Sequence, residues 1–302
     1  MDFELVAEGL KFPEGPIAMA DGSVILTEIA GRTLTRVTPD GRAERLCETG
    51  GGPNGAAIGP DGAIYITNNG GSLSWIERDG RIFPSTAPSS HQGGAVQRFD
   101  PRTGALATLY TECEGQRLVG PNDLVFDRQG GFWFTDHGCE TGEGLKFGGL
   151  YYAKADGSHI SRQRARLLSP NGVGLSPDET VVYMADTRQA RLWAFDLAAP
   201  GEIRAVKGGP GRVICNLQGH QFLDSLAVEA SGKVCVATII KGGITVFDPE
   251  GGVEHHPSPD SMTTNICFGG ADMRDAWITA SSTGRLYKTR WPRPGLKLNF
   301  NA

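Results

Sequence analysis

Short apolar stretches recur along the whole chain, and in most of them apolar residues alternate with polar or small ones. An alternation with a period of two is typical of β-strands with one buried face, whereas an amphipathic helix would repeat every 3.6 residues. Asp-Gly pairs and similar turn residues separate many of the stretches, which indicates hairpins. No helix of useful length is readable, so the pattern predicts an all-β protein.

One unit of this pattern occurs six times. It begins with a polar residue, called here the leading residue, followed by an apolar strand and a turn. A second strand then follows, and its last two residues are Thr or Ala and a polar residue. The leading residue and the end of the second strand are 14 residues apart in five copies and 15 in the fourth. Such constancy is hard to obtain by chance and indicates a repeat architecture. The six leading residues are Glu14, Asn54, Asn122, Asn171, Asp224 and Asn265.

A third strand follows each unit, and a weaker fourth strand is visible, for example at residues 43–46. Four short strands in about 40–50 residues are the signature of a β-propeller blade. Six copies therefore predict a six-bladed β-propeller, with four antiparallel strands per blade, formed as a single domain by residues 1–302. Because the first copy begins only at Glu14, residues 3–9 are expected to supply the outermost strand of the last blade and close the ring.

The composition is compatible with this fold and narrows the choice of partners. Of the 302 residues, 43 are Gly, which suits the tight hairpin turns of the blades. A length prior of ~150 residues per domain suggests two domains, but large all-β folds often form one. Lys and Arg number 29 against 34 Asp and Glu, and the formal net charge of −5 argues against nucleic acid or an anionic membrane as a partner.

Location and redox state are predicted from what the sequence lacks. After Met1 there is neither the basic region nor the apolar core of a signal peptide. No apolar run approaches the ~20 residues that a membrane helix needs. The six cysteines show no C-x-x-C pair, which favours free thiols over a metal cluster or a disulfide framework. We therefore expect a cytoplasmic protein.

The repeat places candidate site residues around one end of the propeller. The innermost strand of each blade lines the central channel, so the six leading residues are expected to ring one mouth. The polar ends of the second strands should lie near the same mouth; they include Glu28, Asn68, Asp136 and Asp186. Segments 69–94 and 137–148 join second and third strands and are expected to cover it.

Glu14 and Asp224 make this ring chemically unusual. A single Asn or Asp before a strand ordinarily bonds its own backbone in a turn. Two carboxylates buried around one axis are costly without a cation, however, and Asn carbonyls add neutral oxygen ligands. Oxygen ligands suit a hard divalent ion such as Ca²⁺, Mg²⁺ or Mn²⁺. Since no His or Cys is a leading residue, a structural zinc site is disfavoured.

Several motifs resemble the regucalcin/gluconolactonase (senescence-marker-protein) family over nearly the whole chain. They are Phe12-Pro13-Glu14-Gly15-Pro16, Pro121-Asn122-Asp123-Leu124, Pro-Asn-Gly-Val-Gly-Leu-Ser-Pro-Asp at 170–178, Leu-Asp-Ser-Leu-Ala-Val at 223–228, and Phe268-Gly269-Gly270. Each motif is weak alone, and the combination is specific. The resemblance implies a six-bladed propeller that holds one divalent metal ion in the channel mouth and hydrolyses lactones, commonly sugar-derived ones.

Taken residue by residue, the resemblance implies that Glu14, Asn171 and Asp224 bind the metal. Asn122 matches an Asn that lies beside the metal and contacts the substrate. Ca²⁺ is the expected ion, with Zn²⁺, Mn²⁺, Mg²⁺ and Fe²⁺ as alternatives. Several sugar-lactonase relatives carry an Arg two residues before that Asn, where this chain has Gly120. The substrate is therefore expected to be either a sugar-derived or a small aliphatic lactone.

Three further residues are candidates for substrate binding. Asn54 and Asn265 share the predicted ring with the metal ligands, and Phe147 ends a segment that should lie over the mouth. A small-molecule substrate is the expected partner.

Lactone hydrolysis needs a polarised carbonyl and an attacking water, and a divalent ion can supply both. Asp224 is the first candidate for the general base. His137, on the expected mouth side, is the second, although it could equally be an ordinary loop residue. A serine hydrolase is disfavoured because the chain has no Gly-x-Ser-x-Gly motif.

Two alternatives to lactone hydrolysis stay open. One is the hydrolysis of other esters or of organophosphates at the same metal. The other is a non-catalytic propeller that binds metal or serves as an interaction platform, since a fold alone does not assign a function. A scaffold would not need Glu14, Asn171 and Asp224 together at one mouth, which favours an enzyme.

Overall fold

The computed structural model describes residues 1–205 and 209–301, and every regular element in these residues is a β-strand. The prediction of an all-β protein is confirmed. Among the same residues, no helix has the length and apolar character needed to cross a membrane.

Six antiparallel sheets form the blades of a β-propeller, and each blade is built on four main strands that run in order from the channel to the rim. Blade 1 consists of β2 (Pro13–Ala18), β3 (Val24–Glu28), β4 (Thr33–Val37) and β5 (Ala43–Glu48). Blade 2 consists of β6 (Pro53–Ile58), β7 (Ile64–Asn68), β10 (Ala95–Asp100) and β11 (Ala105–Tyr110). Blade 3 consists of β14 (Pro121–Phe126), β15 (Gly131–Asp136), β18 (Gly148–Lys154) and β19 (Ile160–Leu167). Blade 4 consists of β20 (Pro170–Leu175), β21 (Val181–Asp186), β22 (Arg191–Ala199) and β24 (Arg212–Asn216). Blade 5 consists of β25 (Phe222–Val228), β26 (Val234–Ile239), β27 (Gly243–Phe247) and β28 (Val253–Pro257). Blade 6 consists of β29 (Thr263–Gly269), β30 (Asp275–Ala280), β31 (Arg285–Arg290) and β1 (Glu4–Ala7).

The remaining strands are short additions to this ring. They are the hairpin of β8 (Ser74–Arg78) and β9 (Arg81–Ser85) within blade 2, that of β12 (Glu112–Cys113) and β13 (Gln116–Arg117) between blades 2 and 3, that of β16 (Cys139–Thr141) and β17 (Gly144–Lys146) within blade 3, and β23 (Glu202–Ile203) beside β22.

The N-terminal strand closes the ring, as the sequence predicts. β1 pairs antiparallel with β31, with Leu5 opposite Tyr287 and Ala7 opposite Leu286. The hydroxyl of Thr289 also donates to the carbonyl of Asp2 at 2.7 Å. Blade 6 is thus assembled from both ends of the described chain, and this closure removes the open sheet edges of an incomplete ring.

Each innermost strand has a register irregularity close to its leading residue. In β2 it falls between Glu14 and Ile17, and in β20 between Pro170 and Val173. A bulge interrupts the two-residue alternation and re-aims a side chain. This explains how the leading residue can turn toward the channel mouth while the rest of the strand packs between blades.

Hydroxyl groups tie neighbouring blades together at the mouth. In three blades, the threonine before the last residue of the second strand donates to the carbonyl oxygen of the next blade's leading residue. The pairs are Thr27–Asn54, Thr67–Asn122 and Thr135–Asn171, each at 2.5 Å. Apolar side chains fill the space between blades, as where Trp133 of blade 3 packs in one cluster with Met184 and Phe195 of blade 4.

Residues 292–301 form a C-terminal strap over the opposite mouth. The amide of Leu296 donates to Val228 at 2.8 Å, and the side-chain amide of Asn299 donates to the Phe126 carbonyl at 3.1 Å. The strap therefore joins blades 5 and 3, and a cavity of about 170 Å³ lies between it and the channel. The leading residues face the other mouth.

Gly55 follows the leading Asn54 at a point where the inner strands of two blades nearly touch. A Cβ at this position would lie 2.7 Å from the Cα of Asp123 and 2.8 Å from the Asn122 carbonyl oxygen. Both separations are too short for a side chain, so this spacing of the blades requires glycine.

We expect Gly55→Ala to lower the free energy of unfolding by roughly 1–3 kcal/mol, because the added methyl group pushes the inner strands apart. Gly142→Ala is the matched control, since a Cβ there meets no atom of the described part of the chain within 4 Å. That control should change stability by no more than about 0.5 kcal/mol. Urea denaturation measures both; equal midpoints for the two variants would contradict the close approach of the strands.

Candidate metal and substrate site

A cavity of about 590 Å³ opens at the mouth ringed by the leading residues. Five of those six residues line it; they are Glu14, Asn54, Asn122, Asn171 and Asp224. His137, Gly120 and parts of segments 69–94 and 137–148 also line the cavity. The residues that the sequence analysis selects from five separate blades therefore share one pocket.

Asn265 and Phe147 lie elsewhere than the sequence analysis expects. The side-chain amide of Asn265 donates to Oε2 of Glu14 at 2.7 Å, and its Oδ1 accepts from the Ile266 amide at 2.8 Å. Asn265 is therefore a positioning residue for Glu14 and lines the cavity under the strap. Phe147 is 54% exposed and is not part of the site cavity wall. Neither residue therefore lines the cavity that the other candidate residues share.

Glu14 and Asp224 are buried, which is unfavourable for their charged forms. Glu14 is only 2% exposed and accepts from the Gly15 amide at 2.9 Å besides the bond from Asn265. Burial raises the pKa of Glu14. Burial raises the pKa of Asp224 well above its usual range, and the charge of Glu14 raises it further. A bound cation would stabilise both charged forms, so the pair is suited to hold one.

The amide side chains supply oxygen atoms to the same place. The Nδ2 of Asn171 donates to the Thr187 hydroxyl at 3.0 Å, which orients the amide, and the nearby Asn171 side chain partly offsets the raised pKa of Asp224. Oδ1 of Asn122 is buried and has no hydrogen-bond partner in residues 1–205 and 209–301. An unpaired buried carbonyl oxygen is unfavourable unless a ligand satisfies it. Carboxylate and amide oxygens together form a donor set that fits a hard divalent ion.

Within residues 1–205 and 209–301, no group of three or more His, Cys, Asp and Glu side chains is placed to hold a metal ion. We call Glu14, Asn122, Asn171 and Asp224 together the cavity floor. A metal site there must therefore use amide oxygens as well as the carboxylates of Glu14 and Asp224. This agrees with the mixed ligand set that the family resemblance implies, in which Asn171 is the third member.

Asp123 is a buried carboxyl that the sequence analysis does not select. Burial, and next the charge of Glu14, raise the pKa of Asp123 to about 7. Its Oδ1 accepts from the Leu124 amide at 2.9 Å, and the residue faces the cavity under the strap. One signal was available in the sequence: the residue after the leading residue is glycine in blades 1, 2 and 4, but aspartate in blade 3.

The polar ends of the second strands hold loops instead of lining the cavity. Asp136 shows how: it accepts from the amides of Val119, Gly120 and Gly138 at 2.6, 2.7 and 2.9 Å. The amide of His137 in turn donates to the Gly120 carbonyl at 2.9 Å. Asp136 is thus a positioning residue for His137 and for the backbone around it. Glu28, Asn68 and Asp186 likewise bond loop groups beside the mouth.

His137 is present in the cavity as a neutral imidazole. Burial, and next the positive charge of Arg188, lower its pKa to about 4, against the opposing effect of Asp186. A base of such low pKa is unprotonated at neutral pH but accepts a proton only weakly. This environment favours Asp224 over His137 as the general base.

The segments that join second and third strands cover part of the mouth. In the β8–β9 hairpin the Ile82 amide donates to the Ser282 carbonyl of blade 6 at 2.9 Å. Trp75 packs on Phe12 of blade 1 with ring centroids 4.9 Å apart. The inserted hairpin of blade 2 therefore reaches two other blades across the mouth.

In the metal-free protein, the Asp123 carboxyl should make thermal stability fall as the pH rises from 3.8 to about 7. Over that range the folded state retains a proton that the unfolded chain has lost, so raising the pH favours unfolding. Melting temperatures are measured in EDTA across this pH range for the wild type and for Asp123→Asn. The difference between the two proteins gives the contribution of the Asp123 carboxyl to the pH dependence of stability. Stability that falls equally in both proteins would contradict the assignment.

Similarity to known proteins covers most of the chain. Residues 12–282 match the family model described as SMP-30/Gluconolactonase/LRE-like region. A gluconolactonase from Zymomonas mobilis is 24% identical in an alignment of 298 positions that covers 88% of this chain and 75% of the relative. Lactonase drp35 from Staphylococcus saprophyticus is 28% identical over 250 residues, which cover 82% of this chain and 69% of the relative.

Two solved structures have the same fold. A gluconolactonase from Xanthomonas campestris superposes with a TM-score of 0.75 at 24% identity, covering 96% of this chain and 89% of that one. A regucalcin from Agrobacterium tumefaciens, described as a calcium-binding protein, superposes with a TM-score of 0.70 at 20% identity, covering 96% and 95%. The family model spans most of the sequence and confirms the predicted resemblance. The chain belongs to the SMP-30/gluconolactonase/LRE-like family.

Proposed function

We propose that this protein is a metal-dependent lactonase, a hydrolase that opens a lactone ring by means of a metal-activated water. The observation that carries the proposal is the burial of Glu14 and Asp224 together, beside amide oxygens, at the floor of a 590 Å³ cavity. The names of the relatives support the reaction class, since both sequence relatives are lactonases.

Glu14, Asn171 and Asp224 would hold one divalent ion. Ca²⁺ is the first candidate because all three donors are oxygen atoms and the regucalcin of the same fold is described as calcium-binding. Zn²⁺, Mn²⁺, Mg²⁺ and Fe²⁺ are the alternatives. When bound, such an ion polarises the lactone carbonyl and lowers the pKa of water.

The remaining steps fall to side chains of the cavity floor. A water molecule adds to the lactone carbonyl carbon and gives a proton to the carboxylate of Asp224. The ring C–O bond then breaks, and the departing alkoxide takes the proton back from Asp224, which yields a hydroxy acid and restores the carboxylate. Asn122, whose Oδ1 has no partner among the residues that the structure describes, can accept a hydrogen bond from the water or the substrate, and Asn54 lines the same cavity.

Two alternatives compete with this proposal. Other esters or organophosphates could be hydrolysed at the same metal, because the floor does not by itself distinguish one electrophile from another. A non-catalytic metal-binding propeller is the second, and the description of the regucalcin neighbour as a calcium-binding protein favours keeping it.

We expect Asp224→Asn to lose bound divalent metal and to lower kcat/KM on lactones at least roughly 100-fold, because the floor loses one of its two charges. The metal-free variant should melt at a higher temperature than the metal-free wild type, since it no longer buries Asp224 beside Glu14. Elemental analysis, lactone turnover with and without EDTA, and thermal melts provide the measurements.

Glu140→Gln is the matched control for the metal measurement. Glu140 lies on the cavity wall, but its side chain is half-exposed and pairs with Arg188. Its removal should leave the metal content unchanged. If Asp224→Asn binds as much metal as the wild type, the ligand assignment fails. If no lactone or ester is turned over while metal binding persists, the non-catalytic alternative is correct.

His137→Gln separates the two candidate bases. If Asp224 is the base, this variant should lose less than roughly tenfold in kcat/KM, because general-base catalysis is worth about 10²–10⁴-fold and would be retained. The acidic limb of the pH–rate profile should also stay in place. A loss of several hundredfold together with a disappearing acidic limb would transfer the role to His137.

A further inference from the structure

Above its polar floor, the site cavity has an apolar wall. We define the apolar wall as Phe12, Ile29, Leu73, Phe83, Phe222 and Ile240. Two of these residues come from blade 1, two from the segment inserted in blade 2, and two from blade 5. The wall therefore approaches the floor from three sides, and a molecule seated on Glu14 and Asp224 would extend against it.

The cavity has few charged groups above its floor, and these are paired with each other. Among the described residues that line the cavity, Arg188 is the single Lys or Arg, and Glu140 is the single Asp or Glu outside the floor. These two side chains form an ion pair with each other. At Gly120 a Cβ would lie 2.6 Å from the Gly138 carbonyl oxygen. No side chain can project into the cavity from that position while the 137–148 segment holds its place.

The packing of the fold does not explain why isoleucine is present at position 240 of the wall. Its φ is 80°, in the left-handed region, which is unfavourable for a β-branched residue. Its side chain is also 43% exposed, so it contributes little to the core. The Ile240 amide donates to the Ser261 carbonyl at 2.8 Å, which holds the backbone in place. Strain of this kind tends to persist where a side chain serves a function.

We propose that the apolar wall, with Ile240 as a strained and half-exposed member, selects lactones that carry an apolar alkyl or aryl substituent and discriminates against polyhydroxylated ones. The inference rests on the proposed lactonase function and names its substrate class. A substituent of this kind is transferred from water to the apolar side chains, which is favourable. The hydroxyl groups of a sugar lactone would lose water against the same wall, whose six side chains offer no hydrogen-bonding group in return.

A substrate series tests the selection. The wild-type enzyme is assayed on γ-butyrolactone, on γ-lactones whose alkyl side chain is lengthened one methylene at a time, and on glucono-δ-lactone, each corrected for spontaneous hydrolysis. We expect kcat/KM to rise roughly fourfold per buried methylene until the wall is covered. We also expect glucono-δ-lactone to be the poorest substrate of the series.

Ile240→Asn tests the strained residue, because Asn tolerates the left-handed region and lacks the apolar side chain. The variant should melt at a higher temperature than the wild type. Its preference for the longest alkyl lactone over γ-butyrolactone should fall about threefold to tenfold. A merely structural role would not raise stability and lower this ratio together.

Val253→Asn is the matched control. Val253 is β-branched, 52% exposed and in the same blade, but it lies on the outer strand β28 and not on the cavity wall. It should leave the substrate ratio unchanged. Equal or better turnover of glucono-δ-lactone, or an unchanged ratio in Ile240→Asn, would overturn the inference while the lactonase proposal stands. A complete lack of lactone turnover would overturn both.

Discussion

The burial of like charges on the channel axis is the constraint on which the rest of this structure depends. Glu14, Asp123 and Asp224 come from three blades, and the charge of Glu14 raises the pKa of each of the other two. Burial of such groups is unfavourable unless protons or a cation neutralise them. The propeller can hold them there because closure by β1 and the strap commits both chain ends to the ring.

Each floor residue is positioned through its backbone. A register irregularity near the leading residue turns its side chain, and a threonine hydroxyl from the preceding blade fixes its carbonyl oxygen in three of the six cases. The same residue thus contributes its main chain to the contact between blades and its side chain to the site. Loss of one of these threonine hydroxyls would therefore disturb the fold and the cavity floor together, so stability and the geometry of the floor are coupled in this protein.

Much of the fold was readable from the sequence because a propeller repeats one local pattern. The constant spacing between Glu14 and Glu28, and between its counterparts, reflects a strand, a hairpin turn and a second strand, all of which depend on neighbouring residues. The ring position of Asn54, Asn122 and Asn171 follows from that repeat. The pattern could not show that Asn265 turns to support Glu14, or that Phe147 points to solvent, because both depend on contacts distant in sequence.

The sequence by itself determined the number of blades, the closing strand and the set of leading polar residues, since these rest on short-range alternation and turn chemistry. The tertiary structure alone decided which of those residues share a cavity, how strongly burial and charge shift the pKa values of Asp123, Asp224 and His137, and where Ile240 carries its strain. The physical reason is distance. Desolvation and Coulomb interactions act between groups that only the closed ring brings together, and no local pattern records them.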